Sequence, residues 1–165
     1  MSKLMQIRPV FLALFLLPVI AMAFAVLFLQ QALGLAPCPL CITQRVFVVG
    51  VGLFALLAFL QNPGAVGRRI YGALCSLSAL AGAAVAGRHV WLQGLPPDQV
   101  PACGPSLGYM LETLPLSKTF SLVMMGDGNC ADTQWTFLGM SIPEQTLLLF
   151  IVLFGLSLWQ TLRRG

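Results

Sequence analysis

The sequence predicts an all-α membrane protein, a bundle of four transmembrane helices with both termini cytoplasmic and two outer loops. Three observations carry this. Nine Lys or Arg and five Asp or Glu make the chain 8% charged, against about 25% in a soluble domain. Hydrophobic residues make up 58% and mean hydropathy is +0.90, more apolar surface than a soluble fold of this size can hide. The few charges leave four long gaps, at residues 9–44, 46–67, 70–87 and 145–162.

A helix rises about 1.5 Å per residue, so crossing about 30 Å of hydrocarbon takes roughly 20 apolar residues. Each gap holds one span, read as residues 10–30, 42–60, 70–90 and 145–162 of a single 165-residue domain. The rival reading, helices buried in a soluble core, leaves almost no soluble remainder to bury them. Disorder is excluded because disordered chains are poor in apolar residues and rich in charge. A nucleic-acid binder is excluded too, since the net charge of +4 forms no basic patch.

Orientation follows from the loops. Lys3 and Arg8 precede the first span, Arg68 and Arg69 separate the second from the third, and Arg163 and Arg164 follow the fourth. The positive-inside rule makes that side cytoplasmic. The loops at about 31–41 and 91–144 then lie outside. The second holds all five acids (Asp98, Glu112, Asp127, Asp132 and Glu144) and Lys118. A cleaved signal peptide is the alternative for the first span. Its apolar stretch is longer than an h-region, Pro37 stands where a small residue belongs, and cleavage would leave an odd number of spans. In the long Gly- and Pro-rich loop, 106–114 and 116–125 read as short helices. Leu116, Phe120 and Val123 share one face, which suits either the membrane interface or a strap over the bundle.

Four of the five cysteines fall in the outer loops, where disulfides persist. Topology came from Lys and Arg alone, so this agreement is an independent check. Cys38 and Cys41 form a C-x-x-C where the first loop becomes the second span. Cys41 falls in the first helical turn, where unpaired N–H groups and the helix dipole stabilise a thiolate. Pro39 removes an N–H that would be unpaired anyway. The motif reads as redox-active, with metal binding and a structural ring as alternatives. Cys103 and Cys130 read, by themselves, as a plain loop-closing disulfide. A zinc site of four cysteine ligands built from both pairs is the metal rival. Cys75 lies in mid-span and reads as buried packing.

Two further residues stand out. Arg45 follows Cys41 by four, so on a helix both point the same way. A charge inside a membrane span is costly and marks function by default. Arg45 either snorkels to the headgroups or holds the Cys41 thiolate or an anionic cofactor. His89, the single histidine, stands at the outer end of the third span. It reads as an interfacial residue of the aromatic belt or as a donor to a bound carbonyl compound near Arg45.

Taken together, these features resemble the DsbB family, bacterial inner-membrane proteins that make disulfides for the periplasm. The segment Cys38-Pro39-Leu40-Cys41-Ile42-x-x-Arg45 is similar to its C-x-x-C-x-x-x-R signature. Pro115-Leu116, Gly126-Asp127, Cys130-Ala131 and Gln134-Trp135 followed by Phe137-Leu138-Gly139 are similar to its second loop. In the vitamin K epoxide reductase pattern the order of the cysteine pairs is reversed. The DsbB resemblance implies redox disulfides Cys38–Cys41 and Cys103–Cys130, and a periplasmic DsbA-like thiol oxidase as partner. Cys103 would take the partner's attack, Cys130 would be passed toward Cys38, and Cys41 would meet a quinone (ubiquinone or menaquinone). Arg45 would hold that quinone, with His89 near its ring. No resident metal and no nucleic acid is implied. Gln44 departs from the pattern, standing where some members have an acid. The rivals are a membrane protein with two inert disulfides and a zinc-stabilised one.

Overall fold

The computed structural model describes residues 7–96, 98–102, 107–126 and 128–163. Helix α1 (Ile7–Ala23) continues as a π-helical stretch, Phe24–Ala32. Then come α2 (Pro39–Gln61) and α3 (Ala65–Gln93). The long loop carries three short helices, α4 (Leu107–Thr113), α5 (Leu116–Met125) and α6 (Gly128–Ala131). Strands β1 (Thr136–Phe137) and β2 (Met140–Ser141) precede the last helix, α7 (Ile142–Leu162). Four helices, α1 with its π-helical continuation, α2, α3 and α7, are long and apolar enough to cross a membrane. The protein is an all-α four-helix membrane protein with one small hairpin.

Local chemistry sets the ends of these helices. Asn62 closes α2 in the left-handed conformation (φ 44°, ψ 57°), and Pro63 and Gly64 complete the turn into α3. So short a connection makes α2 and α3 antiparallel neighbours. At the start of α7 the Glu144 carboxylate accepts the Ser141 N–H at 2.6 Å, tying down a donor that the first helical turn leaves free. The hairpin turns through Leu138 (φ 54°) and Gly139 (φ 80°), the pair of positive φ angles that a two-residue turn needs to match strand twist.

Helix α3 overruns its charge gap. It has 29 residues, about 44 Å of helix, and carries Arg68, Arg69 and Arg88. Arg68 donates to the Arg163 carbonyl at 2.6 Å. Arg88 lies 4.2 Å over the Trp91 ring and donates to the Met125 carbonyl. The helix is thus longer than the uncharged stretch, and charged residues near its two ends are held by groups of neighbouring segments.

Small residues let the helices approach. A Cβ at Gly82 would collide with the Phe150 ring, and one at Gly72 would collide with the Thr161 hydroxyl. Those two glycines seat α3 on α7, the most extensive pairing in the fold. The Ser76 and Ser157 hydroxyls share a buried hydrogen bond at 3.0 Å across the same seam. Close backbone contact plus an interhelical hydrogen bond is how helices associate where lipid is as apolar as leucine. The outer surface is correspondingly apolar, with Leu53, Leu57, Ile70, Leu77 and Ile151 exposed.

Both described chain ends and the α2–α3 turn gather at one end of the bundle. The other end, the loop end, collects residues 33–38 and the long loop. There Gly126 (φ +75°) comes down on the ends of α2 and α3, and a Cβ on it would strike Leu92 and press on Leu40. Helix α5 touches α2, with Val123 buried and Leu116 exposed.

Candidate functional site

The site begins with the way α2 starts. Cys38 is the N-cap residue in extended conformation, and its sulfur accepts the Cys41 N–H at 3.3 Å. Pro39 at the first helical position has no N–H to leave unpaired. An N-cap side chain and the third helical residue face each other, as in a capping box. The C-x-x-C spacing therefore brings the two sulfurs together: Cys38 and Cys41 are thiols with Sγ atoms 3.0 Å apart.

Cys130 approaches from α6. It is fully buried, in one cluster with Cys38, Leu40, Val85 and Leu92. The Cys38 and Cys130 sulfurs and a His89 ring nitrogen all lie within 4.8 Å of one another. The sulfur of Cys130, then that of Cys41, and then burial itself hold the Cys38 thiol well above the ordinary thiol range. Cys38 thus stays protonated when reduced. Cys103, the expected partner of Cys130, lies outside the described residues.

His89 does not face lipid. It is 3% exposed, with Nε2 3.0 Å from the Cys130 carbonyl oxygen and 3.8 Å from the Cys38 sulfur. A carbonyl can only accept, so Nε2 carries a proton, and in the neutral tautomer Nδ1 presents a lone pair. Gln44, also 3% exposed, meets that lone pair with its amide nitrogen at 3.2 Å. In the sequence Gln44 stands out only as a departure from the family pattern. Its position three residues after Cys41, on the same helical face, was the signal that could have found it.

Two cavities meet at Cys41. The smaller, about 290 Å³, is lined by Cys38, Cys41, His89, Asn129, Asp132 and Trp135 among others. The larger, about 630 Å³, lies among α1, α2 and α7, with Met22, Leu29, Pro37, Val48 and Leu149 as apolar walls. Its polar groups are Cys41, Gln44, Arg45, Gln134 and Thr146. Arg45 donates to the Gln30 amide oxygen at 2.8 Å. Gln30 belongs to the π-helical stretch, a form that concentrates at functional sites. Cys41 and Arg45, one helical turn apart, line the same cavity. His89 lines the smaller one, beside the sulfurs rather than beside Arg45.

The hairpin closes this end. Trp135 stacks on Phe137 at 5.9 Å and reaches Phe24 and Phe28 of the π-helical stretch, each at 6.0 Å. These aromatic contacts tie the end of the long loop to the first helix. They carry Gln134 and Ile142 to the junction of the two cavities.

Residues 7–160 match the family model "Disulfide bond formation protein DsbB". Among curated relatives, the disulfide bond formation protein B of Saccharophagus degradans is 53% identical over 146 residues, 88% of each chain. That of Stutzerimonas stutzeri is 49% identical over 162 residues, covering 98% of this chain and 99% of the relative. That of Psychrobacter arcticus is 48% identical over 167 residues, covering 99% and 95%. With a match running through all four long helices and the loops between them, the chain belongs to the DsbB family.

Proposed function

We propose that this disulfide-forming oxidoreductase takes electrons from a DsbA-like dithiol protein at its long loop and delivers them at Cys41 to a membrane quinone. The observation that carries the reading is the place of Cys41: it stands 3.0 Å from Cys38 on one side and opens into the Arg45 cavity on the other. Exchange at Cys103 and Cys130 hands two electrons inward. Cys130 attacks the Cys38 sulfur of the oxidised Cys38–Cys41 pair, and Cys41 leaves as thiolate. The start of α2 suits that leaving role, because the helix dipole and unpaired N–H groups favour an anion there. Cys38, held protonated when reduced, is suited to be the sulfur attacked. His89 and Gln44 fix the Cys130 carbonyl and hence the approach of α6.

The larger cavity fits a quinone, with apolar walls for a ring and isoprenoid tail and the Arg45 guanidinium for a ring oxygen. A quinone there supplies the acceptor for two electrons and two protons. Arg45 orients it and favours negative charge on its oxygen. The basic end of the bundle would face the cytoplasm and the cysteines the periplasm, in a bacterial inner membrane.

The test mixes purified protein, a reduced DsbA-like protein and ubiquinone or menaquinone, and follows quinone absorbance. Stoichiometric quinone loss with oxidation of the dithiol protein is expected. No quinone loss with intact protein would sink the reading.

A further inference from the structure

We propose that the fully reduced site is also a thiophilic metal site, in which Cys38, Cys41, Cys130 and His89 capture one zinc ion and hold the protein out of turnover. The inference rests on the redox reading above, since only reduction of the site supplies all three thiols at once.

The donor set is of a recognised kind. Three cysteines and one histidine form a closed tetrahedral zinc site elsewhere, and thiolate with imidazole selects zinc over the hard cations. The geometry is close to what such an ion needs. With Zn–S of about 2.3 Å and Zn–N of about 2.0 Å, tetrahedral ligands stand roughly 3.5–3.8 Å apart. Cys38 Sγ and His89 Nε2 are 3.8 Å apart, Cys38 Sγ and Cys41 Sγ are 3.0 Å apart, and the Cys130 sulfur completes a cluster within 4.8 Å. Among Cys38, His89 and Cys130 each separation changes by an ångström or less on binding, and Cys41, beside Cys38 at the start of α2, moves in to complete the set. Cys38, His89 and Cys130 are all buried, so few waters compete for the ion.

Gln44 supplies support behind the ligand. Metal-bound histidine donates its other ring N–H to an acceptor. When Nε2 turns from the Cys130 carbonyl to the metal, its proton moves to Nδ1. Rotation of the Gln44 amide, 3.2 Å away, then offers its oxygen. The balance is simple: one Zn²⁺ enters, three thiols become thiolates, three protons leave, and no electron moves. Every disulfide step consumes sulfurs that the ion needs. Capture and turnover are therefore mutually exclusive, and zinc traps the reduced state.

The test uses full-length protein in detergent, without a histidine tag, reduced with a phosphine and freed of quinone. Cobalt(II) is titrated in, and thiolate-to-cobalt charge transfer with tetrahedral d–d bands is read. One equivalent per chain, displaced by zinc, is expected, with no such bands from the disulfide form. His89→Ala and Cys130→Ser should each weaken binding at least roughly tenfold. Unchanged affinity in both would reduce the site to an ordinary dithiol and overturn the proposal. Since a variant can fail to fold, wild-type protein with ¹⁵N-labelled histidine gives a second reading. Its single imidazole should change from the Nε2–H to the Nδ1–H tautomer on zinc binding, and an unmoved spectrum overturns the proposal as well. Turnover of the metal-free protein is measured on the same sample, so failure of the redox reading registers separately. Zinc should stop that turnover after reduction and a chelator should restore it.

Discussion

Arg45 and Arg68 stand at opposite ends of the same bundle and are held in opposite ways. Arg68 is 3% exposed and gives Nη2 to the Arg163 carbonyl. Its Nε is buried without a hydrogen-bond partner among the described residues, so its donors face packed protein rather than a cavity. Ser76 bonds Ser157, Arg8 lies over Phe59, and Arg163 lies over Trp159. Arg45 is half-buried, donates to the Gln30 amide, and lines a cavity of about 630 Å³. A guanidinium has five donors in a fixed fork. At the basic end the fold uses that fork to join α3 to the end of α7. At the loop end it leaves much of the fork facing space. The same residue type serves packing in one place and is kept available in the other. The useful question about a charge in a membrane protein is therefore what its remaining donors face.

The cysteines divide in the same way, and here the largest effect is expected. Cys75 is fully buried in the helix core, with its sulfur 3.8 Å from the Val51 carbonyl. Cys41 lies between two cavities. Cys41→Ser should cut quinone reduction at least about a thousandfold, as loss of a nucleophile does. Cys75→Ala should leave the rate within about twofold and cost roughly 1 kcal/mol of stability. Stopped-flow quinone absorbance and thermal unfolding check the two. Equal loss of rate in both variants would break the distinction between packed and reactive thiols.

The two ends also differ in how far the sequence revealed them. The long helices were legible because a bilayer imposes a length of apolar chain that 14 charges could not interrupt. Cys38, Cys41 and Arg45 were legible because they sit within one helical turn or two, where spacing fixes direction. The place of His89 between Cys38 and Cys130 was not. It joins residues 41 and 51 positions apart and depends on a loop closing at Gly126. His89 had an interfacial reading because sequence gives depth along a helix but not the face. The π-helical stretch that carries Gln30 left no trace, since its apolar residues suit an α-helix equally. The hairpin was missed because Leu138 is not the Asn or Asp that announces such a turn.

The arginine comparison gives the second effect. Arg45→Ala should raise the apparent KM for quinone by about tenfold to a hundredfold, the value of a charge-assisted hydrogen bond of roughly 1.5–3 kcal/mol. Arg68→Ala should leave that KM alone and lower the unfolding temperature instead, because it removes the bond to the Arg163 carbonyl. An unchanged KM in the Arg45 variant would mean that its exposed donors have no part in binding. A raised KM in the Arg68 variant would mean that the two ends are coupled through the bundle.

Gln44 gives the smallest effect and the finest division of labour. Its neighbour Arg45 faces the larger cavity, whereas the Gln44 amide also reaches back to His89 Nδ1. Gln44→Leu keeps the volume and removes the donor. The neutral imidazole then has nothing holding its lone pair, and the ring can turn away from the Cys130 carbonyl. A neutral hydrogen bond contributes about 0.5–1.5 kcal/mol, so a roughly twofold to tenfold slowing is expected. It should fall on exchange between Cys130 and the Cys38–Cys41 pair, measured by trapping thiols during a single turnover. Quinone reduction by a prereduced Cys38–Cys41 pair should keep its rate, since that step leaves Cys130 in place. Slowing of both steps would show that Gln44 acts through the cavity it shares with Arg45 rather than through His89.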